Sequence, residues 1–335
     1  MWRQRIAIAL SLSFPLTLSA LPAQAAKVLE PARICVFDPA GKAGDLFDLA
    51  QEYLKDAGPL QLRSYTDERL AVEDFKAGQC DGVAVSTFRA RQFNPFAGSV
   101  DAFGGLPETH SLKTLFSVLA KPQLAPNLVH GEYEVAGMLP LGSLYVLVRD
   151  RRINAIGAAA GRKVAVLDWD KSQARLVEGL AAQPVAADVT SYATRFNNGQ
   201  VDIIAAPALL FRRFEVEKGL GSKGGIYRFP LAQLTATIVI RRDRFPPDFA
   251  ARLRARAPGF VDTALARIDA AEAAVPKRYW LDLAEADQRQ YQQLLAAARE
   301  QLTQDGIYDP RMMAILHRVR CLEQPSGYEC VVGRL

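Results

Sequence analysis

LGSLYVLVRDRRINAIGAAAGRKVAVLDWDK, residues 141–171, is the stretch whose reading decides the fold. An apolar strand (Ser143–Val148) runs into a charged turn (Arg149–Arg152), and a short segment, Ile153–Ala160, follows. Gly161-Arg162-Lys163 then opens a second apolar strand, Val164–Leu167, which ends in Asp168-Trp169-Asp170. In open α/β sheets, ligands bind at the loops on the carboxyl ends of parallel strands. The stretch therefore points to ligand capture rather than catalysis, with Asp168 and Trp169 at the site. Asp170 is also placed to cap a helix beginning at Lys171.

Upstream, strands and helices alternate. Arg33–Phe37, Leu60–Tyr65 and Gly82–Ser86 read as strands, with helices over Asp45–Asp56 and Glu68–Ala77 between them. A βαβαβ run with short links implies a parallel sheet with right-handed crossovers. Residues 90–140 are proline-rich and irregular apart from a helix near Leu112–Leu119. Downstream the pattern repeats on a smaller scale. Strands are expected at Lys163–Leu167, Val185–Ala187, Val201–Ala205, Ile226–Phe229 and Gln233–Ile240. Helices are expected at Lys171–Ala182, Tyr192–Asn197 and Leu209–Lys218. From Pro247 the chain is helical and amphipathic, over Asp248–Ala257, Phe260–Ala274 and Glu285–Asp305. The fold class is thus α/β, with two lobes, each a mostly parallel sheet flanked by helices, and a helical C-terminal tail. Lobe 1 is expected over 26–145 plus 240–335, and lobe 2 over 146–239.

The N-terminus has the parts of a cleaved export signal: a basic leader at Arg3 and Arg5, an apolar run Ile6–Leu21, and Ala23-Gln24-Ala25 as the cleavage signature. Pro15 interrupts the run, which is short for a membrane span. The product is expected to be periplasmic and not membrane-spanning after cleavage at residue 25. Loss of Arg3 and Arg5 lowers the formal charge from +5 to +3. The basic residues are scattered, which excludes a nucleic-acid surface. Four cysteines, Cys35, Cys80, Cys321 and Cys330, suggest disulfides in an exported chain. Cys321 and Cys330 bracket a short loop and can form a local clasp. Cys35 and Cys80 either pair by elimination or stay as small buried hydrophobes.

Catalytic and metal signatures fail. The three histidines, His110, His130 and His317, sit in no nucleophile-base pattern, and no zinc spacing occurs. No cofactor is expected. Gly219-Leu220-Gly221-Ser222-Lys223-Gly224 fits G-x-G-x-x-G, but a helix precedes it and a strand follows, the reverse of a dinucleotide site. It reads as a helix end and a turn. Pro39–Gly44, including Lys42, joins the first strand to the first helix. It either offers backbone N–H groups to a ligand or is a tight turn. Asp38 faces the cleft. Ser86, Thr87 and Arg89 end the third strand with two hydroxyls and a guanidinium. Alternatively Ser86 is a helix cap and Arg89 a surface charge. Trp169 offers a face to a sugar, an apolar group or a cation.

Several segments carry a resemblance. Asn197-Asn198-Gly199-Gln200-Val201-Asp202 through Pro207, its counterpart Gly78–Val83, and Tyr145–Asp168 are similar to parts of TRAP-type periplasmic solute receptors, the dicarboxylate-receptor-like class. Cys35–Pro39, Phe196–Gly199, Leu231–Thr235 and the tail Arg320-Cys321…Glu329-Cys330 resemble a subgroup whose ligand is unassigned. Together they cover nearly the whole mature chain. The resemblance implies a two-lobe receptor that closes on a small solute and delivers it to inner-membrane permease components, working as a monomer. Tyr145 and Pro207 in those segments, and Gln173 in the helix after Asp170, join the candidate ligand contacts. Acid-binding members place an arginine on the first strand of the second lobe, where its fork matches a carboxylate. Here Lys163–Asp168 has no interior arginine and an acidic end. That argues against a dicarboxylate or sialic acid and toward a polar or cationic solute, with Arg89 as a substitute clamp. Two other classes compete: an envelope accessory or sensor protein that binds a protein partner, and an exported enzyme on the same fold.

Overall fold

A computed structural model describes residues 31–332. The export signal expected over residues 1–25 lies outside the described residues. The first half builds as the alternating pattern requires: β1 (Ala32–Phe37), α1 (Asp45–Leu54), β2 (Leu60–Tyr65), α2 (Glu68–Lys76), β3 (Gly82–Ser86) and the single turn α3 (Thr87–Ala90). α1 buries Leu46, Leu49, Ala50, Tyr53 and Leu54 on one face. α2 starts at Asp67, whose side chain accepts from the N–H groups of Arg69 and Leu70. α4 (Ser111–Leu119) and β4 (Val129–His130) lead to β5 (Tyr133–Val148). The second half contains β6 (Lys163–Leu167), α5 (Lys171–Gly179), β7 (Gln183–Ala187), α6 (Val189–Asn197), β8 (Ile203–Ala206), α7 (Glu217–Leu220) and β9 (Gly225–Arg241). The tail adds α8 (Phe249–Ala274), β10 (Trp280–Leu281), α9 (Glu285–Gln304), α10 (Pro310–Glu323) and α11 (Tyr328–Val332).

The strands form one path, β2-β1-β3-β9-β5-β8-β6-β7, with β10 beside β9 and β4 beside β5. β1 pairs in parallel with β2 and β3; β6 pairs in parallel with β7 and β8. Between these two parallel sheets runs an antiparallel ribbon, β5 against β9, from Tyr133↔Arg241 to Val148↔Gly225. β3 edges the ribbon at one end and β8 at the other. The fold is therefore two-lobed: two parallel sheets flanked by helices, joined through one long shared ribbon. Its register shifts between Pro140 and Gly142 and again around Tyr145, where the ribbon passes from one half to the other. Gly142 has φ +101°, a conformation that side chains disfavour.

Several elements differ from the sequence expectation. The strands expected at Ile226–Phe229 and Gln233–Ile240 are one 17-residue strand, and that expected at Ser143–Val148 is the end of a 16-residue one. Gly137, Pro140 and Gly142 punctuate β5 and Pro230 punctuates β9, and continuous pairing between the two overrides them. The helix expected at Leu209–Lys218 is broken into a 3-10 turn at Ala208–Leu210 and the short α7. Phe211 and Val216 are both buried, yet five residues put them about 140° apart on a helix. Glu215 turns to φ +49° between them. Finally, the helices expected on either side of Pro258 are one 26-residue helix. Burial of Leu253, Val261, Ala264, Leu265 and Ile268 outweighs the missing N–H.

Candidate functional site

The carboxyl ends of β1, β3, β6 and β8 converge between the halves on a cavity of about 180 Å³. The first half contributes Phe37, Asp38, Leu46, Ser86, Phe88 and Phe103. The second contributes Val164–Leu167, Gln173, Leu176, Ala205–Pro207, Leu209, Leu210 and Phe214. Leu144, Leu231 and Leu234 come from the ribbon. Beside the cavity, charged side chains reach across from half to half. The Arg89 guanidinium lies 3.9 Å from the centre of the Trp169 ring. Arg91 approaches the buried Asp170 carboxylate at 3.4 Å. Arg213 pairs with Asp45 at 3.2 Å.

Of the residues singled out from the sequence, Asp38, Ser86, Gln173 and Pro207 line the cavity. Asp38 is 2% exposed, and its carboxylate accepts the N–H groups of Ala40 (2.7 Å), Leu46 (2.8 Å) and Phe47 (3.1 Å). The backbone N–H groups at the start of α1, considered as a ligand cradle, are thus partly filled by the chain's own carboxylate. Burial raises the Asp38 pKa against these bonds. Gly44 permits the arrangement: a Cβ there would lie 1.8 Å from the Asp38 carboxylate. Ser86 caps α3 by accepting from the Arg89 N–H. Gln173 accepts from the Leu167 N–H at 3.0 Å and donates to Asp170 at 3.1 Å. Asp170 caps α5, as expected, accepting from the Ser172 N–H.

Lys42, Thr87, Arg89, Tyr145, Asp168 and Trp169 do not line the cavity. Lys42 is exposed in a 3-10 turn. Thr87 is fully buried, its hydroxyl shared with Thr235 and Thr237 at 2.6 Å each. Thr235 in turn bonds the buried Asp101 carboxyl through its N–H (2.9 Å) and hydroxyl (2.6 Å), and burial pushes the Asp101 pKa up to about 7. Arg89 is taken by Glu68 at 3.5 Å and by Trp169; burial raises the Glu68 pKa. Tyr145 donates to Glu272 at 2.9 Å and packs edge-on to Trp280. Asp168 is exposed. Trp169 packs on the large apolar cluster behind the cleft. Sequence reasoning missed the apolar wall itself. Phe37, Ser86 and Leu167 stand at strand ends and carried that positional signal. Phe103, Leu144, Leu210 and Phe214 reach the cavity from loops and the ribbon, and no local pattern marks them.

Both disulfides form, Cys35–Cys80 between β1 and the turn before β3, and Cys321–Cys330 between α10 and α11. Among the described residues, no cluster of His, Cys, Asp and Glu is arranged to hold a metal ion, and no helix is long and apolar enough to cross a membrane.

Residues 55–334 match the family described as solute-binding protein AdeT 1/2. The probable solute-binding protein AdeT1 of Acinetobacter baumannii is 42% identical over 302 residues, covering 89% of this chain and 99% of the relative. Probable solute-binding protein AdeT2 of the same organism is 27% identical over 240 residues, covering 71% and 100%. Among solved structures, a TRAP periplasmic solute-binding protein of Desulfovibrio salexigens with bound orotic acid superposes with a TM-score of 0.72 at 14% identity, covering 87% of this chain and 99% of that one. One from Shewanella oneidensis with bound succinate gives 0.68 at 11% identity over the same shares.

Proposed function

The chain belongs to the solute-binding protein AdeT 1/2 family, and from that premise we propose that it is a periplasmic receptor, freed by signal cleavage, that captures a small solute as a monomer and delivers it to inner-membrane permease components. Lobe 1 comprises residues 26–145 with 240–335, and lobe 2 residues 146–239. The observation that carries this reading is the cavity at the carboxyl ends of strands from both halves. A solute held there touches both lobes at once. It therefore binds the closed form more tightly than the open one, and that difference drives closure. Asp38, Ser86, Gln173 and Pro207 meet the solute from the lining. Arg89, Trp169 and Asp170 hold the lobes together beside it.

A thermal-shift screen of the oxidised mature protein tests the reading. Sugars, amino acids, carboxylates, polyamines and neutral aromatic compounds are the classes to compare. A solute that binds only the folded state raises the melting temperature by mass action. At least one class is expected to do so, saturably. Delivery is tested by permease capture: solute-loaded protein should retain permease subunits from solubilised inner membranes better than solute-free protein. A flat screen across every class counts against a receptor.

A further inference from the structure

The class of solute can be argued from the same cleft, on the premise that the chain is a receptor. The cavity walls are apolar: Phe37, Phe88, Leu144, Val166, Leu176 and Leu234 face it from both halves and from the ribbon. The polar side chains that reach it are already engaged by the protein. Asp38 holds three backbone N–H groups. Gln173 bridges Leu167 and Asp170. Thr235 is tied to Asp101 and Thr87. The Tyr192 hydroxyl bonds the backbone of Ala205. Arg213 and Asp45 neutralise each other, each side chain about one-third exposed. An anionic solute entering this space gives up its water and meets only Arg213, already paired with Asp45, while a cationic one meets the Asp38 carboxylate, whose oxygens are already held by three N–H groups. Burying an ion on those terms is strongly unfavourable, whereas removing apolar surface from water is favourable.

Size points the same way. At about 180 Å³, the cavity is slightly larger than an engineered apolar cavity of ~150 Å³ that stays dry and binds benzene. A second cavity of about 70 Å³ shares Val164, Leu176, Val177, Ala205 and Leu231 with the first, and it is apolar except for Tyr227 and Tyr291. We propose that the cleft takes a compact, uncharged, predominantly apolar molecule about the size of a substituted aromatic ring. This departs from the polar or cationic solute expected from the acidic end of β6. Asp168 and Asp170 supply that acidity, and neither lines the cavity: Asp168 is exposed, and Asp170 is committed to Ser172, Gln173 and Arg91.

The probe is 4-fluorotoluene, followed by fluorine NMR on the oxidised mature protein. Succinate, D-galacturonate and spermidine are compared by calorimetry. Saturable binding of 4-fluorotoluene is expected, at least tenfold tighter than any of the three charged or sugar-acid solutes. Leu210→Trp, at a half-buried loop position of the lining, should fill the space and weaken binding at least tenfold with an unchanged circular dichroism spectrum. Leu176→Trp should do the same from α5; if it fails to fold, Leu210→Trp alone decides. Tighter binding of succinate, galacturonate or spermidine overturns the apolar class and leaves the receptor reading standing. Equal 4-fluorotoluene affinity in Leu210→Trp places binding elsewhere and also overturns it. No binding by any of the four, together with a flat thermal-shift screen, removes the receptor reading as well.

Discussion

Asp38 stands where a ligand-binding carboxylate is expected, yet its oxygens hold three N–H groups of its own chain. Removing it strands those donors, so Asp38→Ala should destabilise by about 1–3 kcal/mol, measured by urea unfolding. Gly44→Ala should be as damaging, because its methyl group would overlap the carboxylate. In the Asp38→Ala background the same methyl should cost little; strict additivity in that cycle would sever the link between the two positions. Asp101 gives a pH signature. Its folded pKa of about 7 lies above the ordinary 3.8. The folded state therefore holds the proton more tightly, and the contribution to stability is fully present below about pH 3.8 and lost as pH rises through 7. Arg91 opposes the shift and Asp170 adds to it. The melting temperature of the parent relative to Asp101→Asn should fall between pH 4 and 7.5. A constant difference would mean that this carboxyl does not titrate there. At this scale the sequence was legible where a side chain stands at a strand end, as with Asp38, Ser86 and Pro207. It was not legible where hydrogen bonding decides the role. Nothing local in Ser86-Thr87-Phe88-Arg89 says that Thr87 turns inward to two threonines about 150 positions away or that Arg89 is claimed by Glu68.

Among the elements, the parallel strands and the first two helices were readable because each carries its own period, and α2 its own cap at Asp67. The ribbon was not, since Gly137, Pro140 and Gly142 interrupt the pattern that β5 and β9 restore by pairing with each other. Pro258 shows the same override in a helix. Its missing N–H leaves α8 one bond short, so Pro258→Ala should raise stability by about 2 kcal/mol, a helix bond regained less the stiffness that proline lends the unfolded chain. A fall in melting temperature would mean that the pyrrolidine ring itself is packed to advantage. The disulfides should differ in weight. Cys35 and Cys80 are 45 residues apart, Cys321 and Cys330 only 9. On loop-closure entropy, alanine replacement of the first pair costs about 4 kcal/mol and of the second about 2.5 kcal/mol. Equal losses in guanidinium unfolding would point to packing rather than entropy.

For the molecule as a whole, the halves meet through specific polar contacts and through one apolar cluster that takes Phe88 and Phe103 from the first half and Leu176 and Leu209 from the second. The Arg89–Trp169 stack is worth about 0.5–2 kcal/mol, and the part-exposed Asp45–Arg213 pair about 0–1 kcal/mol. Trp169→Ala combined with Asp45→Ala should therefore enlarge the radius of gyration of the solute-free protein in X-ray scattering, with a fall in melting temperature from the packing that Trp169 loses on the apolar cluster. An unchanged radius would mean that these contacts do not hold the halves together. Two lobes were legible from the order of the strands; the apolar cleft was not, because its wall is assembled from residues far apart in sequence, from Phe37 to Thr235. The ribbon has one more consequence. The two ribbon strands that pass between the halves are neighbouring and hydrogen-bonded, and the tail bridges the same halves, with β10 paired to β9 at Ile226–Tyr227 and Tyr291 packed beside Phe229, so these links must flex together. The ribbon's register shifts at the Pro140–Thr235 and Tyr145–Pro230 pairs mark where such bending meets the least regular pairing. A protein with one soft coordinate loses little freedom when it shuts. Its capture rate is then governed by how often that one coordinate swings open, rather than by a search over many orientations.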